Sequence, residues 1–505
     1  MTLPWLTILA LVPLVGALAL ILVKGKAAKQ VGLGFSILTL VIAVVVALQY
    51  SNGGGMQFVE QHKWIGAFGA HYALGVDGLG LTLVLLTVVL VPVVLVASWN
   101  SADQASRWTS RAFFALVLVL ESFSLYVFTA TDVLLFYIFF EATLIPMYFL
   151  IGSFGGPRRS YAAIKFLLFS LAGGLIMLAA VVGLYVVSAR AGQPTYLLSD
   201  LMNLNISGNT GRWLFLGFMF AFAVKAPMVP FHTWLPDAAE QSPAGASVLL
   251  VGVLDKIGTF GMIRFCLGLF PEASTWATPV VVILAVISIL YGAIVAIGQK
   301  DLMRLIAFTS ISHFGVMVLG IFAFTSQSLT GSTFYMINHG FTTGALFLLA
   351  GYMIRQRGSQ AIADFGGVQK VAPVLAGLLL FSGLSSLALP GLSSFVSEFM
   401  VLAGTFSRYP VYGVLATLAT VLAALYILIM YQRTMTGPVT PMVEAKMTDI
   451  TARERWALAP LVLLILFLGI FPKPMLNLIE PAMQTTIQHV GVSDPTPKIT
   501  AEGGK

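Results

Sequence analysis

The sequence predicts an all-α polytopic membrane protein of about fourteen transmembrane helices. Three observations carry that expectation. Hydrophobic residues make up 58% of the 505-residue chain and charged residues only 9%, where a soluble domain carries roughly 25% charged residues. Apolar runs of about 20 residues, each long enough to cross the hydrocarbon core, recur from end to end. Two of the runs are interrupted, at Pro227 and Pro230 and at Leu389-Pro390-Gly391, and a helix interrupted at membrane depth survives only where protein or a water-filled cavity satisfies the freed backbone.

The first run, Leu3 to Val23, is too long for a secretory leader, lacks a basic start and has no small-residue cleavage site. It is expected to remain as the first span. The second covers 31–50, and a polar, glycine-rich loop, 51–78, holds His62, Lys63, His71 and Asp77. Spans three to six fall at 79–99, 111–130, 132–152 and 162–187; Gly155, Gly156 and Pro157 stop the fifth. The seventh, 212–240, is broken at Pro227 and Pro230, with Pro236 beyond. Spans eight to eleven are 244–268, 277–298, 302–323 and 331–353. The twelfth, 373–405, is interrupted at Leu389-Pro390-Gly391, and the thirteenth is 410–432. A polar connector with Glu444, Lys446, Arg453 and Arg455 leads to the fourteenth, 456–472, and the chain ends in a short polar tail.

Charge placement orients these spans. Of the 27 lysines and arginines, sixteen fall in the odd-to-even connections and eight on the opposite side, with Lys165, Lys225 and Lys256 inside spans. The positive-inside rule then puts the odd-to-even loops in the cytoplasm and both termini outside. The net charge of +7 reports that orientation and gives no indication of nucleic acid. The single cysteine, Cys266, excludes a disulfide or an iron–sulfur cluster within the chain. The two interrupted spans stand five apart. A five-span unit crosses an odd number of times, so a second copy enters from the opposite face, and the spacing predicts inverted repeats of spans 4–8 and 9–13. The expected divisions are 1–110 (spans 1–3 and loop), 111–270 (first repeat), 271–435 (second repeat) and 436–505 (connector, span 14 and tail).

Six ionisable residues lie deep inside spans: Glu141, Lys225, Lys256, His313, His339 and Glu398. A charged side chain facing lipid costs roughly 2.5–3.5 kcal/mol on insertion scales, so six of them are hard to explain as packing. At a shared depth they can form a water-bridged line parallel to the membrane plane. Burial favours the neutral form of an amine and a neighbouring carboxylate favours its charged form. A pairing of Glu141 with Lys225 would therefore capture or release a proton as the two separate. Histidine suits a relay because it titrates near physiological pH. A buried ion pair can also be purely structural. His232 and Asp237 sit by the seventh-span break as possible accessory groups. Asp255 adjoins Lys256 but points about 100° away around an ideal helix and ranks as a weak candidate. Glu121 has no evident partner, and Lys300, Asp301 and Arg304 read as a solvated cluster at a helix start. No metal site is expected.

Five stretches then fit a known pattern: DVLLFYIFFEATLIPMYFLIG, FAVKAPMVPFHTWLPDAAEQSPAGASVLL, VLDKIGTFGMIRF, KDLMRLIAFTSISHFGVMVLG and LALPGLSSFVSEF. In this order they resemble the antiporter-like membrane subunits of respiratory complex I, over roughly residues 75–435. The resemblance implies fourteen helices, inverted repeats, and breaks in helices seven (Pro227, Pro230) and twelve (Pro390, Gly391). It casts Glu141 and Lys225 as the paired glutamate and lysine, Lys256 as the central lysine, His313 and His339 as relay residues, and Glu398 as the exit group. L- and N-type members usually carry lysine at the last position, so the glutamate marks the M-type branch. Such a subunit is implied to move protons while its assembly oxidises NADH and reduces a quinone. NADH, FMN, iron–sulfur clusters and quinone would all reside in partner subunits, with no cofactor on this chain. Implied partners are L-type and N-type neighbours, the lateral helix of the L-type subunit and the bilayer of a bacterial plasma membrane, with no nucleic acid. A subunit of a multisubunit sodium/proton antiporter is the alternative.

Overall fold

The computed structural model describes residues 3–23, 27–100, 103 and 109–495. Lys24, Lys26, Arg107, Lys498 and Lys505 of the charge pattern lie outside the described residues. The chain folds as helices α1 (Trp5–Leu22), α2 (Ala27–Gln49), α3 (Gly78–Ala97), α4 (Ser110–Thr129), α5 (Val133–Phe154) and α6 (Arg159–Arg190). The seventh helix comes in two pieces, α7a (Gly208–Lys225) and α7b (Trp234–Gln241). Next come α8 (Ala244–Leu267), α9 (Pro271–Ile297), α10 (Leu302–Phe322) and α11 (Ser326–Arg357). The twelfth is also divided, into α12a (Pro373–Ser386) and α12b (Ser393–Arg408), before α13 (Pro410–Met435), α14 (Ala452–Ile470) and α15 (Lys473–Val490).

Among the described residues, ten of these helices are long and apolar enough to cross a membrane. The expected spans that fall short are the informative ones. The α7 and α12 pieces are broken where the prolines predict. The 32-residue α11 is long enough, but it is diluted by buried Ser328, Thr330, Ser332, Thr333, Asn338, His339, Thr342 and Thr343. A polar helix is tolerated here because protein surrounds it. α8 and α10 are likewise buried along their whole apolar length, whereas α1, α2, α6 and α13 leave most of theirs facing outward. On α6, Ile164, Leu168, Leu171, Leu175 and Val182 are exposed. They repeat at helical spacing and form an outward-facing apolar stripe.

Helix starts obey ordinary capping chemistry. Asp77 accepts from Gly80 N (2.9 Å), Asp132 from Leu134 N (2.9 Å) and Leu135 N (3.0 Å), and Asp301 from Arg304 N (3.0 Å). Thr325 with Ser328, and Thr451 with Glu454, form capping boxes.

Three expectations need correction. The 51–78 loop is largely an antiparallel hairpin, β1 (Gln57–Ile65) and β2 (Ala70–Val76), with bulges at both ends. Its alternation is weak because most of β1 is exposed, but Asp132 accepts from His71 N (2.8 Å) and ties the hairpin to α5. The polar tail contains a regular helix, α15, bent 72° from α14 and burying Ile479, Ala482, Met483 and Ile487. Arg304 and Asp301 are not a solvated cluster. Arg304 is paired with Asp237 (2.6 Å) and Glu240 (2.8 Å), and Asp301 caps α10.

Candidate functional site

Glu141 stands on α5 just before Thr143, where the helix is irregular. Pro146 has no N–H to offer the Ala142 carbonyl, which loosens the ladder at this point. Gly174 of α6 lies against Glu141, and a Cβ there would overlap the carboxylate. Ser170, one turn earlier on the same α6 face, is buried with its hydroxyl unpartnered.

Lys225 is the last residue of α7a. Its ammonium lies 5.3 Å from the Phe140 ring centre and 5.6 Å from that of Phe166, and it makes no hydrogen bond. The expected contact pair is therefore open: no direct hydrogen bond or ion pair joins Lys225 to Glu141. The break after Lys225 is fastened from both sides. Trp234 Nε1 donates to the Val224 carbonyl (3.0 Å), Met228 N to Ala223 O (3.0 Å), and Val229 N to Ser288 Oγ of α9 (2.9 Å). These bonds satisfy backbone groups that the prolines Pro227 and Pro230 leave exposed, as a break at membrane depth requires.

α8 carries the next buried candidate between two π-helical turns, Leu250–Leu254 and Met262–Leu267. Such turns often mark functional sites. Lys256, fully buried between them, donates to the Val251 carbonyl (2.8 Å) and lies 2.6 Å from His339 Nδ1 on α11. Its ammonium also faces the Phe314 ring at 4.7 Å, within cation–π range.

From His339 the set continues through ring contacts to His313 and Tyr335. The His313 and His339 ring centres are 5.2 Å apart, and those of His313 and Tyr335 5.7 Å. His313 Nε2 lies 3.4 Å from Tyr426 Oη of α13, and Tyr335 donates to Glu398 Oε2 (3.0 Å). The twelfth-helix break at Leu387–Leu392, with Gly391 at φ 93° and Ala388 at φ 60°, lies alongside. Asn338 of α11 closes the start of α12b by donating to Ser393 O (2.9 Å) and Ser397 Oγ (3.1 Å). Thr342, Ser385 and Ser394 form a hydroxyl cluster beside it.

The structure thus brings Lys256, His313, His339 and Glu398 into one connected set and places Glu141 with Lys225 at its other end. Tyr335 and Tyr426 were missed from the sequence. Tyr335 stands four residues before His339, on the same helix face, a readable signal, whereas nothing marks Tyr426. The accessory candidates lie elsewhere. His232 is buried against Tyr291 (5.0 Å between rings). Asp237 is held by Lys165 and Arg304 (both 2.6 Å) in a fastening between α6, α7b and α10. Glu121 is buried with both oxygens unpartnered.

Residues 130–423 match the family described as "NADH:quinone oxidoreductase/Mrp antiporter, TM". The chain belongs to that family. Residues 8–128 also match "NADH-ubiquinone oxidoreductase chain 4, amino terminus", so the family likeness reaches further toward the N-terminus than the motif-bearing stretch from residue 75. The chain is 51% identical to NADH-quinone oxidoreductase subunit M of Mycobacterium tuberculosis, over 98% of this chain and 96% of that one. It superposes on a chain of respiratory complex I from Thermus thermophilus with a TM-score of 0.88 at 33% identity, covering 96% of this chain and 100% of the other. A chain of the Mrp complex from Dietzia shares the fold, with a TM-score of 0.85 at 20% identity over 97% and 100% of the two chains. Family membership fits a polytopic bundle with paired helix breaks, which is what the chain forms.

Proposed function

We propose that this chain is the M-type proton-translocating membrane subunit of an NADH:quinone oxidoreductase. Protons move through Glu141, Lys225, Lys256, His339, His313 and Glu398, with Tyr335 and Tyr426 bridging the last steps. The observation that carries this reading is the connected set from Lys256 to Glu398, buried throughout in a protein otherwise packed with apolar side chains. Ionisable groups at membrane depth mark ion paths by default. Spans 4–8 and 9–13, residues 111–270 and 271–435, act as inverted repeats, each supplying one interrupted helix. Residues 1–110 and 436–505 flank them. The chain carries no redox chemistry. NADH, FMN, iron–sulfur clusters and quinone are handled by partner subunits, and the flanking partners are L-type and N-type subunits and the L-type lateral helix. It resides in the bacterial plasma membrane with both termini outside.

The sodium/proton antiporter reading is less favoured, because the relative at 51% identity is an NADH-quinone oxidoreductase subunit and the antiporter likeness rests on fold. The test is NADH-driven proton uptake by membrane vesicles containing Glu141→Ala or Lys225→Ala. Either substitution is expected to leave the complex assembled and cut uptake by about tenfold, a loss equivalent to ~1.4 kcal/mol in the rate-limiting barrier. Parent-level uptake in both would remove the proposal.

A further inference from the structure

Between Lys225 and Lys256 the connected set has a step that the six sequence candidates leave unfilled. Asp255 occupies it. The residue comes directly after the π turn Leu250–Leu254, and its amide donates to Leu250 O (3.0 Å), five residues back. It is fully buried, and both carboxylate oxygens lack a hydrogen-bond partner. A buried carboxylate without a hydrogen-bond partner is costly.

The packing shows where it faces. Gly258, three residues on and so on the same side of α8, meets the end of α7a at close range. A Cβ there would stand 2.5 Å from Ala226 N and 2.7 Å from Phe222 O. Asp255, on that same side of α8, therefore lies at the seam with the end of α7a, the helix that Lys225 terminates. The next residue, Lys256, turns its side chain to His339 and Phe314. Adjacent residues on one helix thus face the two halves of the line.

We propose that Asp255 carries the proton between Lys225 and Lys256. This rests on the proton-path reading above and adds a station to it. The Lys225 ammonium gives up an N–H proton and becomes a neutral amine, while an O–H bond forms on the Asp255 carboxylate. That O–H then breaks as a new N–H forms on neutral Lys256, which leaves Asp255 ionised again. One positive charge has moved from Lys225 to Lys256, and no other reactant is consumed. With Glu141 on its other side, Lys225 has two carboxylates to alternate between.

The experiment uses the whole complex in membrane vesicles, with assembly monitored on native gels and NADH-driven proton uptake as the readout. Asp255→Asn is expected to assemble and to lose uptake by roughly tenfold or more, at the low end for removal of a proton-transfer group. Asp255→Glu, which restores a carboxyl, is expected to recover most of it. Infrared difference spectra during turnover should lose a carboxyl band in the Asn variant and regain it in the Glu variant. If the Asn variant fails to assemble, Asp255→Ser, small enough to avoid a clash, is judged by the same uptake criterion. Parent-level uptake in the assembled Asn or Ser variant, alongside a failing Lys225→Ala control, overturns the role of Asp255 and leaves the path standing. Parent-level uptake in the control as well overturns the path itself.

Discussion

At the α7 break the final helical residue is a lysine pressed between phenylalanine rings, with no hydrogen bond to hold it. At the α12 break the ionisable residue is a glutamate in the second turn after the interruption, bonded to Tyr335 and set near a cluster of hydroxyls. Both breaks satisfy their backbone through borrowed donors, Trp234 at the first and Asn338 at the second. The difference lies in the freedom of the ionisable side chain. On the proposed path, Lys225 can respond to carboxylates on either side because no hydrogen bond anchors it. Glu398 is fixed by a partner and suits a terminal station. An unpaired buried ion is a mobile element and a bonded one a fixed end.

The largest effect expected from disturbing this contrast comes at Gly174. Gly174→Ala introduces a methyl group into the space of the Glu141 carboxylate. The carboxylate is the end of a flexible side chain, so it should move and the helices should stay in place. Uptake should fall nearly as far as in Glu141→Ala, about tenfold, with normal assembly. Uptake at the parent rate would mean that the position of Glu141 does not matter. Trp234→Phe removes the donor that closes the first break. The freed Val224 carbonyl is buried, so roughly 1–3 kcal/mol of stability is at stake, visible as a lower melting temperature of the purified complex. If melting is unchanged, the fastening at the α7 break is not made by Trp234.

Tyr335→Phe loosens the fixed end. The lost hydrogen bond is worth about 0.5–1.5 kcal/mol net, so uptake should drop by a factor of roughly two to ten. A larger loss than that from Lys225→Ala would reverse the assignment of mobile and fixed ends. The smallest effect is at the surface. Lys29 pairs with Asp103 (2.6 Å) and holds its carboxyl below the ordinary value. Such a pair stabilises above the unfolded-state carboxyl pKa and is lost as pH falls through the folded value. Because Asp103 is half exposed, Asp103→Asn should change melting at neutral pH by a small fraction of the Trp234→Phe shift.

The helical bundle and the helix breaks were legible because a bilayer leaves few ways to satisfy backbone groups. Clustered Pro227 and Pro230, and Pro390 followed by Gly391, break their spans, whereas single prolines such as Pro92 and Pro279 stay inside continuous helices. Glu141, Lys225, Lys256, His313, His339 and Glu398 were legible for the same reason, as ionisable residues where lipid would exclude them. Asp255 was undervalued because pointing away from Lys256 was read as pointing away from the other candidates; only the packing of Gly258 against the end of α7a shows that this other side of α8 meets the helix carrying Lys225. Tyr426 was invisible because tyrosine in an apolar run is ordinary packing until a partner on another helix is known. The β1–β2 hairpin was hidden by exposed polar residues that blur strand alternation. α15 was hidden by its low apolar content.

α15 has a further consequence. It runs across one end of the bundle, packing on α3 and α11 and touching the end of α8 and α9. His489 lies 2.8 Å from the Gly268 carbonyl, Arg408 donates to the Ser493 carbonyl, and Asp494 accepts from Ser326 N (2.8 Å). A strap bonded to both sides of the bundle resists any tilting of one side against the other. On the proposed path, protons should therefore move by rearrangement of side chains and hydration inside a nearly stationary frame, without the swinging that opens many carriers to alternate faces.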